Sequence, residues 1–191
     1  MTSFDDWESE DELLELIRQY VRQAIDEYDF DVDFDLIETW KITTAKKYAG
    51  QTRMYDMPRT ATVGDPVPKD VVDDIPNVEH YGECNLKFSQ RAFESMSDEE
   101  CRSVIRHELV HVEQIQSYGV GRHDEGFEIR AEEVDTTVHC DQFVPYDYKF
   151  VCDGCGELIG GRYRMCKTVE QVRDDILKSE CCMSAMTVTE Q

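Results

Sequence analysis

Hydrophobic positions along the first third of the chain follow two rhythms. Over residues 10–28, Leu13, Ile17, Val21, Ala24 and Tyr28 recur at helical spacing, and Leu14, Tyr20 and Ile25 widen the stripe. That period predicts an amphipathic helix with one face on a core. Acidic residues crowd its start, where the helix dipole favours them. The rhythm then shortens to two. Phe30, Val32 and Phe34 alternate with Asp29, Asp31, Asp33 and Asp35, which predicts an extended segment with a solvated acidic edge. A calcium loop of the EF-hand kind needs a central glycine and a distal glutamate, and this run has neither.

Residues 39–62 reverse the charge. Lys41, Lys46, Lys47, Arg53 and Arg59 face only Asp56, with Trp40, Tyr48 and Tyr55 interleaved. A strand pair joined near Ala49-Gly50 is expected. Lysines neutralise phosphate and aromatics stack on bases, but short basic runs are also common on solvated sheet edges, and that plainer reading is favoured. Residues 64–82, with three of the five prolines, read as a long loop of the lid or substrate-rim kind. Alternation returns over residues 84–89 and predicts a short strand. Ser97-Asp98-Glu99-Glu100 is a capping box. The helix it opens runs through Val104, Ile105, His107, Glu108, His111 and Ile115, and Gly119 and Gly121 are its stop signals. A turn over 121–127 and a second helix over 128–134 follow. From residue 150 the composition changes: Cys152-Asp153-Gly154-Cys155 reads as a metal knuckle, Gly160-Gly161 as a hairpin signal, and Cys181-Cys182 closes the segment.

Composition alters this picture in two ways. The chain has 191 residues with 42 acidic and 20 basic, a formal net charge of −22. An excess of that size argues against broad attraction to nucleic acid and matches the pattern of halophiles, which points to a high-salt, haloarchaeal cytoplasm. No basic-then-apolar leader and no apolar run of membrane-spanning length is visible, so a cytoplasmic protein without membrane contact is expected. In such a compartment eight cysteines are not expected to pair as disulfides. Five of them lie in the last forty residues, so metal binding is expected there.

The chemistry concentrates at His107-Glu108-Leu109-Val110-His111. Two histidines four apart share a helix face and can reach one metal ion, while Glu108 can reach water on it. This is the H-E-x-x-H spacing of zinc peptidases. Gln114 and Ser117 stand where a metzincin needs Gly and His, which excludes that class. The third ligand is then His123 or a glutamate of the following helix, Glu128, Glu132 or Glu133. Cys152, Cys155, Cys181 and Cys182 offer four thiolates, the number a structural zinc takes. Because Cys181 and Cys182 adjoin, Cys166 is kept as a substitute.

His107-Glu108-Leu109-Val110-His111 followed by His123-Asp124-Glu125-Gly126-Phe127 resembles the SprT-like zinc metalloproteases, which include the DNA-repair protease Spartan. Asp124 departs from the glycine usual there. The stretches from Trp40 to Ala49-Gly50 and over 86–89 are also similar to that family, as is a terminal zinc ribbon. The resemblance implies an α+β, zincin-like metalloprotease domain over 39–148, an acidic helix over 1–38 packed on it, and a ribbon over 149–191. It implies one catalytic zinc on His107, His111 and His123, with Glu108 as general base, and one structural zinc. In zincin peptidases a strand like 84–89 borders the cleft and offers its edge to a peptide. Protein substrates are expected, and by family analogy ones bound or crosslinked to DNA. Lys46, Lys47, Arg162 and Arg164 are the candidate nucleic-acid contacts. The rival reading is a non-proteolytic nucleic-acid-binding or transcription-associated protein whose zinc sites are structural.

Overall fold

The first helix forms as its periodicity requires. In the computed structural model, which describes residues 3–54 and 81–190, α1 spans Glu10–Glu27, and the Ser9 side chain caps it by accepting from the Glu12 amide. Leu13, Ile17, Tyr20, Val21 and Ala24 are buried. The acidic alternating segment then lies extended, with its aspartates exposed and Phe30 buried, up to a short 3-10 turn at Phe34–Leu36. Its backbone is tied to a later helix: the Asp31 amide donates to Glu113 and the Asp33 amide to Gln116.

Strands β1 (Ile37–Thr43), β2 (Gly50–Met54) and β3 (Cys84–Ser89) form one sheet in the order β1-β3-β2. β3 runs parallel to β1 and antiparallel to β2, with Leu86 opposite both Trp40 and Thr52. The expected pairing of the two strands flanking Ala49-Gly50 is therefore replaced. β3 lies between them, with Cys84, Leu86 and Phe88 buried in the core that α1 and α3 share. The edge facing the motif helix belongs to β2, so β3 has no free edge to offer a peptide. The loop expected over 64–82 falls, apart from its last two residues, outside the described residues.

After the short helix α2 (Gln90–Phe93), α3 (Asp98–Tyr118) is the central helix. Both halves of its capping box form between Ser97 and Glu100, and Gly119, at φ 67°, closes it with its amide on the Ile115 carbonyl. Glycine adopts that left-handed conformation without penalty. Ile105, Leu109, Val112 and Ile115 are buried in one core with the α1 stripe, Leu86 and Phe88. Each such side chain contributes about 1.5–3 kcal/mol on burial. α4 (Glu125–Glu133) starts three residues earlier than the sequence reading had it, because Asp124 is its N-cap and accepts from the Phe127 amide.

Contacts divide the chain into two units, Met1–Phe143 and Val144–Gln191. The second holds β4 (Tyr148–Cys152), β5 (Leu158–Arg162), α5 (Lys167–Arg173) and β6 (Met186–Glu190), with sheet order β5-β4-β6. Gly160-Gly161 lies inside β5 rather than at the hairpin turn, which falls on the cysteine knuckle over 153–157. Gly161 serves close packing instead: a Cβ there would meet the Tyr146 ring at 2.4 Å. Among the described residues, no helix is long and apolar enough to cross a membrane.

Candidate metal centre

Mid-helix placement on α3 stacks His107 and His111 one turn apart, with ring centroids 5.0 Å from one another. The turn after α3 brings in His123, whose Nε2 lies 2.9 Å from Nε2 of His111 and 3.1 Å from Nε2 of His107. A tetrahedral site with ligand bonds of about 2.0–2.1 Å sets its nitrogens roughly 3.3 Å apart, so the cluster is near that size. Phe127, fully buried, is the platform beneath all three rings, at centroid distances of 4.9, 4.6 and 4.6 Å. This gives a physical reason for a phenylalanine four residues past His123.

The hydrogen bonds decide which nitrogens are bare. Nδ1 of His107 lies 2.7 Å from the Thr137 carbonyl oxygen. A carbonyl only accepts, so the proton sits on Nδ1 and Nε2 keeps its lone pair. Nδ1 of His111 lies 3.3 Å from Oε1 of Gln114, and that oxygen is identified by the Arg122 amide donating to it at 3.1 Å. His111 therefore also donates from Nδ1 and leaves Nε2 bare. Burial holds all three imidazoles below their usual range, His111 down to about 4. Neutral rings with convergent lone pairs are a donor set for a cation, and they fit zinc.

Glu108 sits beside this cluster, buried at 4% exposure with no cationic partner among the described residues. Burial pushes its carboxyl up to about 7, against the opposing effect of the Thr52 hydroxyl, which lies 2.6 Å from Oε2. The carboxyl lies over Gly50, the first residue of β2, where an added Cβ would stand 2.6 Å from both Cγ and Oε1 of Glu108. Glu108, His107, His123, Lys47, Tyr48 and His139 share the lining of one cavity of about 450 Å³. His139 also stands at this cleft, with its ring 6.0 Å from that of His123.

Glu128, Glu132 and Glu133 are exposed and outside the histidine group. Asp124, where glycine is usual, caps α4 and pairs with Arg122 at 2.8 Å. Glu113 is engaged by Arg130 at 2.8 Å. Sequence reasoning missed Thr52, Gly50, Thr137 and the part played by Gln114.

Within the second unit, the thiols of Cys152, Cys155, Cys181 and Cys182 lie within 4.8 Å of one another and none is in a disulfide. Cys155 and Cys181 are 3.6 Å apart, near the roughly 3.8 Å that tetrahedral zinc thiolates require. The adjacent pair reaches one point because the Met183 amide turns back onto the Ser179 carbonyl and Met183 takes φ 54°. Buried Ser179 lies 3.1 Å from Cys152 Sγ, and its hydroxyl lowers that thiol below its usual range. Cys166 is not in the group; it is the N-cap residue of α5, packed against the core of this unit. Lys46 and Lys47 lie between β1 and β2, Arg162 rests over Phe150, and Arg164 is exposed.

Together these observations define a mixed α+β protein with a three-histidine and a four-cysteine group, each of a kind that holds zinc. The family model described as SprT-like matches residues 13–148, more than half of the chain, and the chain belongs to that family, which is associated with metalloprotease activity. The matched span includes the histidines and ends before Cys152. No curated protein and no solved structure matches the chain.

Proposed function

We propose that the chain is a zinc-dependent endopeptidase of zincin-like fold, with His107, His111 and His123 as ligands and Glu108 as general base. The carrying observation is the buried Glu108, with no cationic partner among the described residues, next to three convergent imidazole nitrogens. A carboxyl buried without a cation costs folding free energy, and a purely structural metal site has no use for it. That weighs against the rival reading of a non-proteolytic nucleic-acid-binding zinc protein.

Zinc on the three histidines would lower the pKa of water to about 7 and polarise the scissile carbonyl. The chain's own part is proton handling. Glu108 takes the proton of the attacking water and returns it to the leaving amine. An ordinary carboxylate is a weak base for that task at neutral pH, and burial corrects this. The Thr52 hydroxyl keeps Oε2 aimed, and the backbone of Gly50 leaves room for the carboxyl. A cavity of about 450 Å³ has room for a side chain flanking the cut bond. The four-cysteine unit is a zinc ribbon in this reading. By family likeness, the substrates include proteins bound or crosslinked to DNA, with Lys46, Lys47, Arg162 and Arg164 as the cationic contacts.

Glu108→Gln tests this on casein and on histone, free and DNA-bound. Zinc content should stay at the parent level while cleavage falls on the order of 10²–10⁴-fold. Cleavage at the parent rate sinks the mechanism. Equal cleavage of free and DNA-bound histone by the parent removes the DNA clause.

A further inference from the structure

We propose that Gln114 is a positioning residue that clasps the His123 turn onto the motif helix and so assembles the metal centre before any metal arrives. The inference rests on the reading of the three histidines as that centre. His107 and His111 are fixed by one helix, but His123 comes from the turn beyond it and is exposed. A ligand on an exposed turn must be held, because ordering that turn costs chain entropy that no ion offsets before it arrives.

The side-chain amide of Gln114 reaches that turn. Its Oε1 accepts from the Arg122 amide at 3.1 Å, and its Nε2 donates to the Arg122 carbonyl at 3.1 Å. One side chain therefore reads both backbone groups of the residue just before His123, as a neighbouring strand would. The same Nε2 lies 3.4 Å from Oδ1 of Asp124, the cap of α4, and the same Oε1 takes the His111 proton at 3.3 Å. Gln114 touches the second ligand, the residue before the third and the residue after it. It is spaced three residues from His111, so it sits on the same face one turn later. No glycine or alanine could make these bonds, and a carboxylate would set an acceptor against the Arg122 carbonyl.

The clasp explains how a turn containing Gly121 and the capped Asp124 delivers an imidazole to within about 3 Å of two others. Outer partners of metal-bound histidines typically change affinity 10–100-fold when removed, and this one acts on two ligands at once.

The test is zinc affinity of the full chain, by competition with a chromogenic chelator, for the parent, Gln114→Met and Gln114→Glu. Methionine keeps the volume and removes every hydrogen bond. Glutamate keeps an acceptor for His111 and the Arg122 amide but loses the donor to the Arg122 carbonyl. Both are expected to weaken one of two zinc sites about 10–100-fold, with the four-cysteine site and the melting of the metal-free first unit unchanged. Parent-like affinity in Gln114→Met overturns the clasp. Parent-like affinity in Gln114→Glu alone overturns it too, since only the His111 tautomer would then matter. A parent whose zinc is lost entirely in Cys152→Ser with Cys155→Ser and kept entirely in His107→Ala defeats the metal-centre reading itself, a result distinct from either.

Discussion

The histidine group and the cysteine group are built in opposite ways. Two of the histidines are mounted on α3, a 21-residue helix capped at both ends and buried in a core that α1 and the first sheet complete, and the third on the turn that follows it. Remove any ion and that core is untouched. The cysteines sit on two turns of a unit whose buried apolar core is Phe150, Val169, Val172 and Met186. A unit spanning only Val144–Gln191 buries too little to offset its chain entropy unaided. On the proposed reading a metal would be added to a finished fold in the first unit and would be part of the fold in the second.

The largest expected effect follows directly. Chelation, or Cys152→Ser with Cys155→Ser, should unfold the second unit, because structural zinc contributes on the order of 10 kcal/mol in small domains. The first unit should stay folded under the same treatment. Hydrogen exchange read separately on α3 and on β4 with β6 checks this. Protected β4 amides in the chelated protein would erase the contrast.

A pair of glycines sharpens it. Each group has one where a Cβ would collide: Gly50 with Glu108 at 2.6 Å, and Gly154 with Ser184 Oγ at 2.5 Å and Cys182 Cβ at 3.2 Å. Gly50→Ala should displace the Glu108 carboxyl and, on the proposed mechanism, lower cleavage on the order of 100-fold with zinc retained. Gly154→Ala should instead loosen zinc and destabilise the second unit, with little loss of cleavage. Metal analysis and peptide turnover on both variants decide it; the same phenotype from both would mean the two sites are not built differently.

What the sequence carried, and what it did not, follows the reach of each interaction. The helix stripe of Leu13 to Ala24, the capping box of Ser97 and Glu100, and the i, i+4 histidines are local, so periodicity and spacing suffice to read them. The order β1-β3-β2 is not local, and two strands flanking Ala49-Gly50 looked like a hairpin until β3 came between them. The site divides along the same line. His107, Glu108 and His111 stand on one turn, and His123 came from a family likeness. Thr52 and Thr137 reach the site across 56 and 30 residues, and no pattern near them announces it. Gln114 was seen in the sequence only as a residue excluding one peptidase class. Its bonds to Arg122 need the turn to be folded before they exist.

The smallest expected effect concerns the metal-free first unit, whose buried carboxyl and partly desolvated imidazoles oppose one another as pH falls. Glu108 titrates at about 7 when folded against 4.5 when unfolded. The folded state then binds its proton first, so this group adds stability as pH falls from 7 to 4.5. His111 titrates at about 4 folded against 6.5 unfolded, and His107 and His123 are held down in the same direction. There the unfolded state binds protons first, so stability is lost as pH falls from 6.5 towards 4. In the parent the Glu108 trend offsets that of His111 across 4.5–6.5, while His107 and His123 leave a net loss, so urea midpoints of the chelated protein should fall as the pH falls. Glu108→Gln removes the stabilising trend and leaves the histidines alone. Its metal-free form should therefore lose on the order of 2 kcal/mol more than the parent between pH 7 and 4.5. Because chelation has already unfolded the cysteine unit, the transition reports the histidine unit by itself. Parallel curves for parent and variant would mean that Glu108 is not the buried, protonatable group that sets this site apart from four thiols on two turns.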